Sequence, residues 1–435
     1  MAITFSWIIL IALLTLIVLQ AALVFRYFGF MVGSPRGSQQ PEKEPDTPRT
    51  AVVLCLRGDD PSLSSCLGSL IAQDYPNFEI HLVLDSRQDP ALKTVERFLL
   101  ANDGCNVKTK TIFLIENSDP STIVDSCSLK NQALIAAISN AEQTIEVFAL
   151  VDADGVVEQN WLSNLIAPFS DQQIGVATGS RWFAPSKRNP GSLVRQTWNA
   201  AALPQMHFYN IPWGGALAIR RSVIDSCDLL THWSRGFCED TMLPRILGEN
   251  GFQIAHAPDV IVESEESITL TAAMNWIARQ LLTVRLHHRS WPLVLGHALF
   301  SGVCLVGAVG SITLCFVNQH YFHGVRLLLV LLIFLIANVV LLQVIQVASR
   351  RGTLKAAFKK RDDKSSNTTK MASRGPGVLG AMLTQLLYPL IAIKAALMRK
   401  VEWRGINYLI GPGKKISMDG YRPYQEDPLN SDTSL

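Results

Sequence analysis

Ile3 to Phe25 is an unbroken uncharged run of 23 residues, ITFSWIILIALLTLIVLQAALVF. A helix crossing a bilayer needs about 20 predominantly apolar residues, and in lipid only a structure that satisfies its own backbone polar groups is viable. The run lacks the basic start, shorter apolar stretch and small-residue cleavage site of a secretory leader, and is read as an uncleaved anchor. Trp291 to Val317 and Leu327 to Ala348 are two more uncharged runs of spanning length. The short, nearly neutral link between them, NQHYFHG with Val325 and Arg326, suits a hairpin.

Basic residues set the expected orientation. Arg26 and Arg36 follow the first run, and Arg350 to Arg374 holds nine Lys/Arg against two Asp. Positive-inside logic places the amino terminus outside and residues 26–290 and 349–376 in the cytoplasm. A fourth apolar stretch, Gly377 to Met398, contains Gln385, Pro389 and Lys394 and runs into Arg399, Lys400 and Arg404. Basic flanks on both sides favour an interfacial or re-entrant segment, with a tilted fourth span as the alternative.

Between these runs the chain is ordinary in charge balance. Lys+Arg number 39 and Asp+Glu 36, a net +3 that excludes the strongly basic surface of a nucleic-acid binder. Charged residues make up 17% of the chain, below the roughly 25% of soluble domains. The eight cysteines form no CxxC pair and have no histidine at zinc spacing, so reduced, buried thiols are expected.

A proline-rich polar stretch, residues 34–49, leads into a regular alternation. Strands are expected at Thr50–Leu56, Phe78–Leu84, Thr109–Ile115 and Glu146–Val151, and helices at Pro61–Gln73, Pro90–Ala101 and Ser128–Ala141. Such alternation implies parallel βαβ units, whose ligands bind at the carboxyl ends of the strands. Asp85 and the pair Asp152/Asp154 stand immediately after expected strands. No GxGxxG follows the first strand and no Walker loop occurs, so a diphosphate here would need a metal and basic side chains.

In extended backbone residues i and i+2 share a face, so Asp152 and Asp154 can offer two carboxylates to one hard divalent cation; two solvated aspartates in a turn would read the same. An EF-hand is excluded by Val156 at the third ligand position, and a DxDG phosphatase usually carries its motif on the first strand rather than the fourth. WGGALAIRR (Trp213 to Arg221) reads as a glycine turn feeding a strand, and GFCED (Gly236 to Asp240) as the opening of a helix. Glu239 or Asp240 there serves either as a general base or as an acidic residue favoured by the helix dipole. In NWIARQLLTVRLHH, Arg279, Gln280 and Arg285 can offset charge on a diphosphate leaving group; membrane-flanking charge is the plain alternative.

In order, these parts resemble a membrane-anchored family 2 type glycosyltransferase, and specifically the ceramide glucosyltransferase group, over about residues 3–410. The run QDYPNFEI and the ordered set VDADG, WGGALAIRR, GFCED and WRGINY carry the likeness. The resemblance implies a mixed, Rossmann-like α/β domain of glycosyltransferase-A type in the cytoplasm plus transmembrane helices. It also implies a nucleotide-sugar donor, most often UDP-glucose, and Mg²⁺ or Mn²⁺. By that analogy Asp85 contacts the nucleoside, Asp152 the nucleotide or metal, and Asp154 ligates the metal. Lys130 and Arg57 join the donor side with Arg279, Gln280 and Arg285. Asp240 is the catalytic base with Glu239 beside it. Trp213, Gly214 and Gly215 line the acceptor side, to which Trp403 and Arg404 return unless WRGINY is simply an interfacial anchor.

The family's (Q/R)xxRW motif is not matched: with Arg285 as its Arg, Leu282 and Leu286 stand at the other positions. The loss of a cationic, Trp-flanked motif favours a single transfer over a growing glycan. The expected organisation is an anchor (1–25), a linker (26–49), a catalytic domain (50–290), a transmembrane hairpin (291–348), a basic loop (349–376), an interfacial or re-entrant segment (377–410) and a tail (411–435). The expected activity is inverting transfer of a hexose to a membrane lipid hydroxyl, whether of ceramide, diacylglycerol, a polyprenyl or a hopanoid lipid. A processive polysaccharide synthase and a catalytically silent membrane scaffold are the alternatives. The tail RPYQEDPLNSDTSL carries no interpretable motif.

Overall fold

The computed structural model describes residues 2–33, 47–115, 123–359 and 375–424. Part of the expected linker, most of the expected basic loop and the end of the tail lie outside these residues.

After helix α1 (Ala2–Gly33) the chain enters a run of alternating elements: β1 (Thr50–Leu56), α2 (Leu63–Ile71), β2 (Phe78–Ser86), α3 (Ala91–Ala101), β3 (Lys108–Ile115), α4 (Leu129–Ser139) and β4 (Val147–Val151). Every strand and helix expected in this stretch is present, with ends shifted by at most two residues. The second half is α5 (Trp161–Ile166), β5 (Ile174–Phe183), α6 (Pro190–Tyr209), β6 (Ala216–Arg220), α7 (Arg221–Ser226), α8 (Leu229–Trp233), α9 (Leu243–Glu249), β7 (Gln253–Ser264) and α10 (Leu270–His287). The seven strands form one sheet in the order β3-β2-β1-β4-β6-β5-β7. β6 runs antiparallel to both β4 and β5, and the remaining pairs are parallel. This is a mixed, mainly parallel α/β sheet of the Rossmann-like kind expected from the sequence.

Strand periodicity explains the two-sided core. On β1, Val52, Leu54 and Leu56 pack on one face with residues of α2, α3 and α5, while Ala51 and Val53 face the layer built by α4, α7, α8 and α9. Burying both faces gives the continuous apolar runs typical of parallel sheets. The carboxyl ends of β1, β2 and β4 therefore meet along one edge, where Arg57, Asp85 and Asp152 emerge.

α11 (Trp291–Val317) and α12 (Tyr321–Lys359) pack with α1 through Ile9, Leu13, Leu16, Cys304, Ala308, Leu327 and Phe334. Among the described residues, four helical stretches are long and apolar enough to cross a membrane: Ile3–Gly33, Trp291–Val317, Tyr321–Arg350 and Val378–Leu397. Three boundaries differ from expectation, one being the end of α12, which runs to Lys359 instead of stopping at Ala348. α1 runs on through Arg26 to Gly33, because packing of Tyr27 and Met31 against Trp182, Ala200 and Leu203 extends the helix past the apolar run. The hairpin turn shrinks to Asn318–His320, with Gln319 in the left-handed region at φ 60°.

The fourth stretch is one continuous helix, α13 (Val378–Leu397), with Pro389 inside it. At its start Arg188 donates to the carbonyl of Gly375 at 3.3 Å. Near its end Lys394 donates to Asn275 Oδ1 at 2.5 Å. Both ends of a helix about 30 Å long thus touch the sheet domain and its flanking helices. A small antiparallel sheet closes the described chain: β8 (Lys400–Trp403), β9 (Ile406–Ile410) and β10 (Ile416–Met418).

Candidate active site

A cleft of about 200 Å³ opens at the carboxyl edge of the sheet. It gathers Arg57, Asp85, Lys130, Asp152, Asp154, Trp213, Gly214, Gly215, Glu239, Asp240, Arg279, Gln280, Trp403 and Arg404, which come from segments as far apart as β1 and the β8–β9 turn. Arg285 is the exception. It turns away from the cleft and donates to the carbonyls of Ala395 and Met398 at 2.6 and 2.7 Å, because those groups end α13 without helical partners. The expectation that Arg285 touches the donor is corrected accordingly.

Lys130, on α4, donates to Asp152 Oδ1 at 2.9 Å and pairs with Glu239 Oε1 at 2.8 Å. Burial works against its charge, but the two carboxylates hold its ammonium well above its ordinary range. Asp152 is partly buried, which opposes its charge, yet Lys130 and Arg181 keep its carboxyl below the usual range. Arg181, which closes β5, sends one guanidinium nitrogen to Asp152 Oδ2 at 2.8 Å and to Asp154 Oδ1 at 3.0 Å. Its guanidinium lies 4.7 Å from the Trp213 ring centroid. Burial raises the Asp154 carboxyl despite that neighbour.

Among the described residues no group of three or more His, Cys, Asp or Glu side chains is arranged to hold a metal ion. The two aspartates still suit one. An oxygen of each converges on the single nitrogen of Arg181, so one hard cation can take both and complete its shell with diphosphate oxygens.

Asp240 lines the cleft beside Gly214. Its Oδ2 accepts from the backbone N–H of Gly214 at 2.9 Å, and burial, with Glu239 beside it, pushes its carboxyl up to about 6. The glycines before β6 are there for close approach. A Cβ at Gly214 would lie 1.8 Å from Glu239 Oε1, and one at Gly215 would lie 2.4 Å from Asp152 Oδ2. The acidic pair precedes its helix rather than opening it: α9 begins at Leu243 and has no acidic residue in its first turn. A helix-dipole role for Glu239 and Asp240 is therefore removed. The loop is held from α10, where His287 Nε2 accepts from the Phe237 N–H at 3.1 Å. Burial keeps that imidazole neutral, down at about 4.

Arg279 forms no ion pair among the described residues; its guanidinium lies 5.3 Å from the Trp403 ring, and burial lowers it to about 10. A cation held without a partner in a buried cleft is suited to an incoming anion. The sequence reading missed Arg181 and Glu266, which also line the cleft. Arg181 is a single arginine on a strand that the periodicity did not reveal, though a charge at the carboxyl end of a strand is the kind of signal that finds such residues.

A second cavity of about 190 Å³ adjoins the first. Its walls are apolar residues of α1, α6, α11, α12 and α13, among them Leu23, Ala202, Leu341 and Leu342. Arg181, Trp213, Asp240, Trp276, Gln280 and Thr283 line both cavities. A cleft lined by carboxylates and cations and a mainly apolar groove among the long apolar helices therefore share a wall that includes one carboxylate, Asp240.

A model of the family described as Glycosyl transferase family 21 matches residues 7–416. The chain belongs to that family. Ceramide glucosyltransferase of Komagataella phaffii (strain GS115 / ATCC 20864) is 32% identical over 93 residues, 21% of this chain and 18% of the relative. Ceramide glucosyltransferase of Pyricularia oryzae (strain 70-15 / ATCC MYA-4617 / FGSC 8958) is 25% identical over 143 residues, 31% of this chain and 28% of the relative. The matched segments thus span less than a third of either relative. Among solved structures, mannosyltransferase PcManGT from Pyrobaculum calidifontis, in complex with GDP-Man and Mn²⁺, covers 89% of this chain and 99% of its own at 14% identity and TM-score 0.45. Glucosyl-3-phosphoglycerate synthase from Mycobacterium tuberculosis, solved with Mn²⁺, UDP and glucosyl-3-phosphoglycerate, covers 54% of this family 21 chain and 79% of its own at 14% identity and TM-score 0.32.

Proposed function

We propose that this family 21 transferase moves a hexose, glucose from UDP-glucose, onto the hydroxyl of a membrane lipid with inversion, forming a β-glycolipid. The observation that carries the reading is the meeting of the two cavities at Asp240. A water-soluble anionic donor and an apolar acceptor each have a compartment of matching chemistry, and the residues lining both include a carboxylate.

In this reading Asp85 faces the nucleoside, and Lys130 and Arg279 face the diphosphate. A divalent cation, Mg²⁺ or Mn²⁺, would be held by Asp154 and Asp152 and would neutralise diphosphate charge. Asp240 takes the proton of the lipid hydroxyl. That oxygen forms its bond to the anomeric carbon as the bond from that carbon to the diphosphate oxygen breaks, and the nucleoside diphosphate leaves. A carboxyl raised to about 6 is ionised at neutral pH and closer in basicity to its task than an ordinary aspartate. Holding the two reactants against each other and stabilising the leaving charge supply most of the acceleration. Trp213 and the Gly214–Gly215 turn border the acceptor, and Trp403 and Arg404 close the cleft from the carboxyl-terminal side.

The expected placement in the membrane is consistent with this assignment. Basic residues after α1 and α12 favour a cytoplasmic catalytic domain. Contacts at both ends of α13 with that domain favour a helix lying along the inner interface, leaving the groove open to that leaflet.

The deciding experiment incubates the purified protein with labelled UDP-glucose, Mn²⁺ and a total lipid extract, and identifies the labelled product by mass spectrometry. A lipid carrying one β-linked hexose is expected. A ladder of sugars would support a polymer synthase instead. No transfer or hydrolysis of any nucleotide sugar would leave the fold as a binding scaffold.

A further inference from the structure

The carboxyl-terminal segment beyond the small sheet reaches back across the donor end of the cleft. Arg57, at the end of β1, donates from Nε to the carbonyl of Arg404 at 2.8 Å and from Nη2 to the carbonyl of Arg422 at 2.6 Å. It also pairs with Asp85. Its guanidinium lies 5.6 Å from the ring of Tyr421 and 5.8 Å from that of Tyr424. Tyr421 donates its hydroxyl to Asp85 Oδ2 at 3.1 Å. The Tyr424 ring lies directly on Gly58, whose φ is +77° and where a Cβ would come within 2.3 Å of that ring. The small sheet from which the segment departs is itself anchored at two points. Arg404 pairs with the buried Asp60 at 3.1 Å, and the N–H of Met418 donates to the carbonyl of Asp125 at 2.8 Å.

Among the described residues, one atom in this cluster lacks a partner. Asp85 is 3% exposed, and its Oδ1 is buried without a hydrogen bond. An ionised carboxylate only accepts, and leaving such an oxygen unpaired in a buried site is costly. The missing partner must therefore be a donor, and it must arrive from the cleft that Asp85 lines. Tyr421 meanwhile fixes the plane of the carboxylate by holding its other oxygen, while both phenol rings lie against the Arg57 guanidinium, which lines the cleft beside it. A heterocycle or ribose with an N–H or O–H donor is the chemistry this arrangement accepts.

We infer that Tyr421–Tyr424 forms a supporting wall against Arg57, Gly58 and Asp85, which line the nucleoside subsite, with Tyr421 a positioning residue for Asp85, and that donor affinity depends on this segment. The inference rests on the nucleotide-sugar reading given above and extends it to a part of the chain without a recognisable motif. The catalytic carboxylate lies elsewhere in the cleft, so the wall governs donor binding rather than the chemical step.

The test measures UDP binding by calorimetry and transfer kinetics on the full-length protein in detergent, on Tyr421→Phe, Tyr421→Ala and Tyr424→Ala, and on a chain ending at Gly420. Thermal unfolding checks that each variant is folded. Loss of a hydrogen bond to a charged group predicts UDP affinity and donor KM about tenfold weaker in Tyr421→Phe, with more lost in the shortened chain and kcat nearly unchanged. Unchanged UDP affinity in both Tyr421→Ala and the shortened chain overturns the inference while leaving the donor reading intact. Tighter UDP binding in the shortened chain also overturns it, since the segment would then be a cover that competes with the nucleotide. Failure of the intact protein to bind UDP overturns both.

Discussion

The backbone N–H of Gly214 donates to Asp240 Oδ2 at 2.9 Å, which ties the turn before β6 to the loop before α9. Because a side chain at 214 would strike Glu239, the glycine lets the carboxylate be aimed by main chain alone. The other oxygen of Asp240 takes the N–H of Thr241 at 2.6 Å, so the group is held at both ends.

If Asp240 is the base, Asp240→Asn keeps the shape of the cleft and removes the proton acceptor. Turnover should drop by about 10²- to 10⁴-fold, while UDP binding measured by calorimetry stays close to that of the parent protein. Near-normal transfer by this variant would move the role to Glu239.

The raised carboxyl sets a pH profile. Burial and Glu239 lift Asp240 from 3.8 to about 6, and the working form is the deprotonated one. kcat/KM should therefore climb as pH rises through 6 and level off above 7. The stability effect has the opposite sense. The folded state retains this proton up to about 6, whereas the unfolded chain releases it near 4, so stability from this group declines as pH rises between those values. A rate that is flat from pH 5 to 8 would show that another group limits the reaction.

Lys130 is the hub between Asp152 and Glu239. Lys130→Met leaves Glu239, 2% exposed, without its cation. Breaking a buried pair in this way costs about 3 kcal/mol or more. A clear fall in the thermal midpoint and weaker UDP binding are expected together. A variant as stable as the parent would mean that water already compensates these carboxylates.

Arg181 occupies the point on which Asp152 and Asp154 converge. Arg181→Met should free both carboxylates, so that Mn²⁺ binds in the absence of nucleotide more tightly than to the parent protein, as read by electron paramagnetic resonance. Chelation of divalent ions should abolish transfer by the parent. Transfer that survives exhaustive chelation, with no Mn²⁺ taken up by either protein, would remove the cation from the proposed mechanism.

The apolar groove gives a separate handle. Ala202 lines it and is not among the residues of the polar cleft. Ala202→Trp should block the groove, raising acceptor KM or abolishing transfer while sparing UDP binding. Equal lipid transfer by this variant would place the acceptor elsewhere.

Much of this arrangement is legible in the order of residues. The apolar runs announce their helices through length and lack of charge. The alternation from Thr50 to Val151 announces the parallel half of the sheet, because each element carries its own period. The acidic positions after β2 and β4 follow from the rule that parallel sheets bind ligands at the carboxyl ends of their strands. The later elements were harder to read. β6 enters antiparallel between β4 and β5, β5 has no flanking signal strong enough to separate it from neighbouring sequence, and the sequence reading missed α6 although Asn189 caps it and Pro190 stands in its first turn.

What the residue order determined was therefore local: which stretches suit lipid, which strands suit a buried sheet, and which carboxylates sit at strand ends. Partnership was decided only by the folded chain. Arg285 and Arg279 lie six positions apart on α10 and looked alike as cations beside a membrane. One closes the end of α13 and the other faces the cleft, because helical pitch points them to different surroundings. Arg181 reaches Asp152 and Asp154, and Tyr421 reaches Asp85 across 336 positions, through contacts that close long loops. Such contacts leave no periodic trace in sequence, since their energy is gained only when distant segments have already been packed into place.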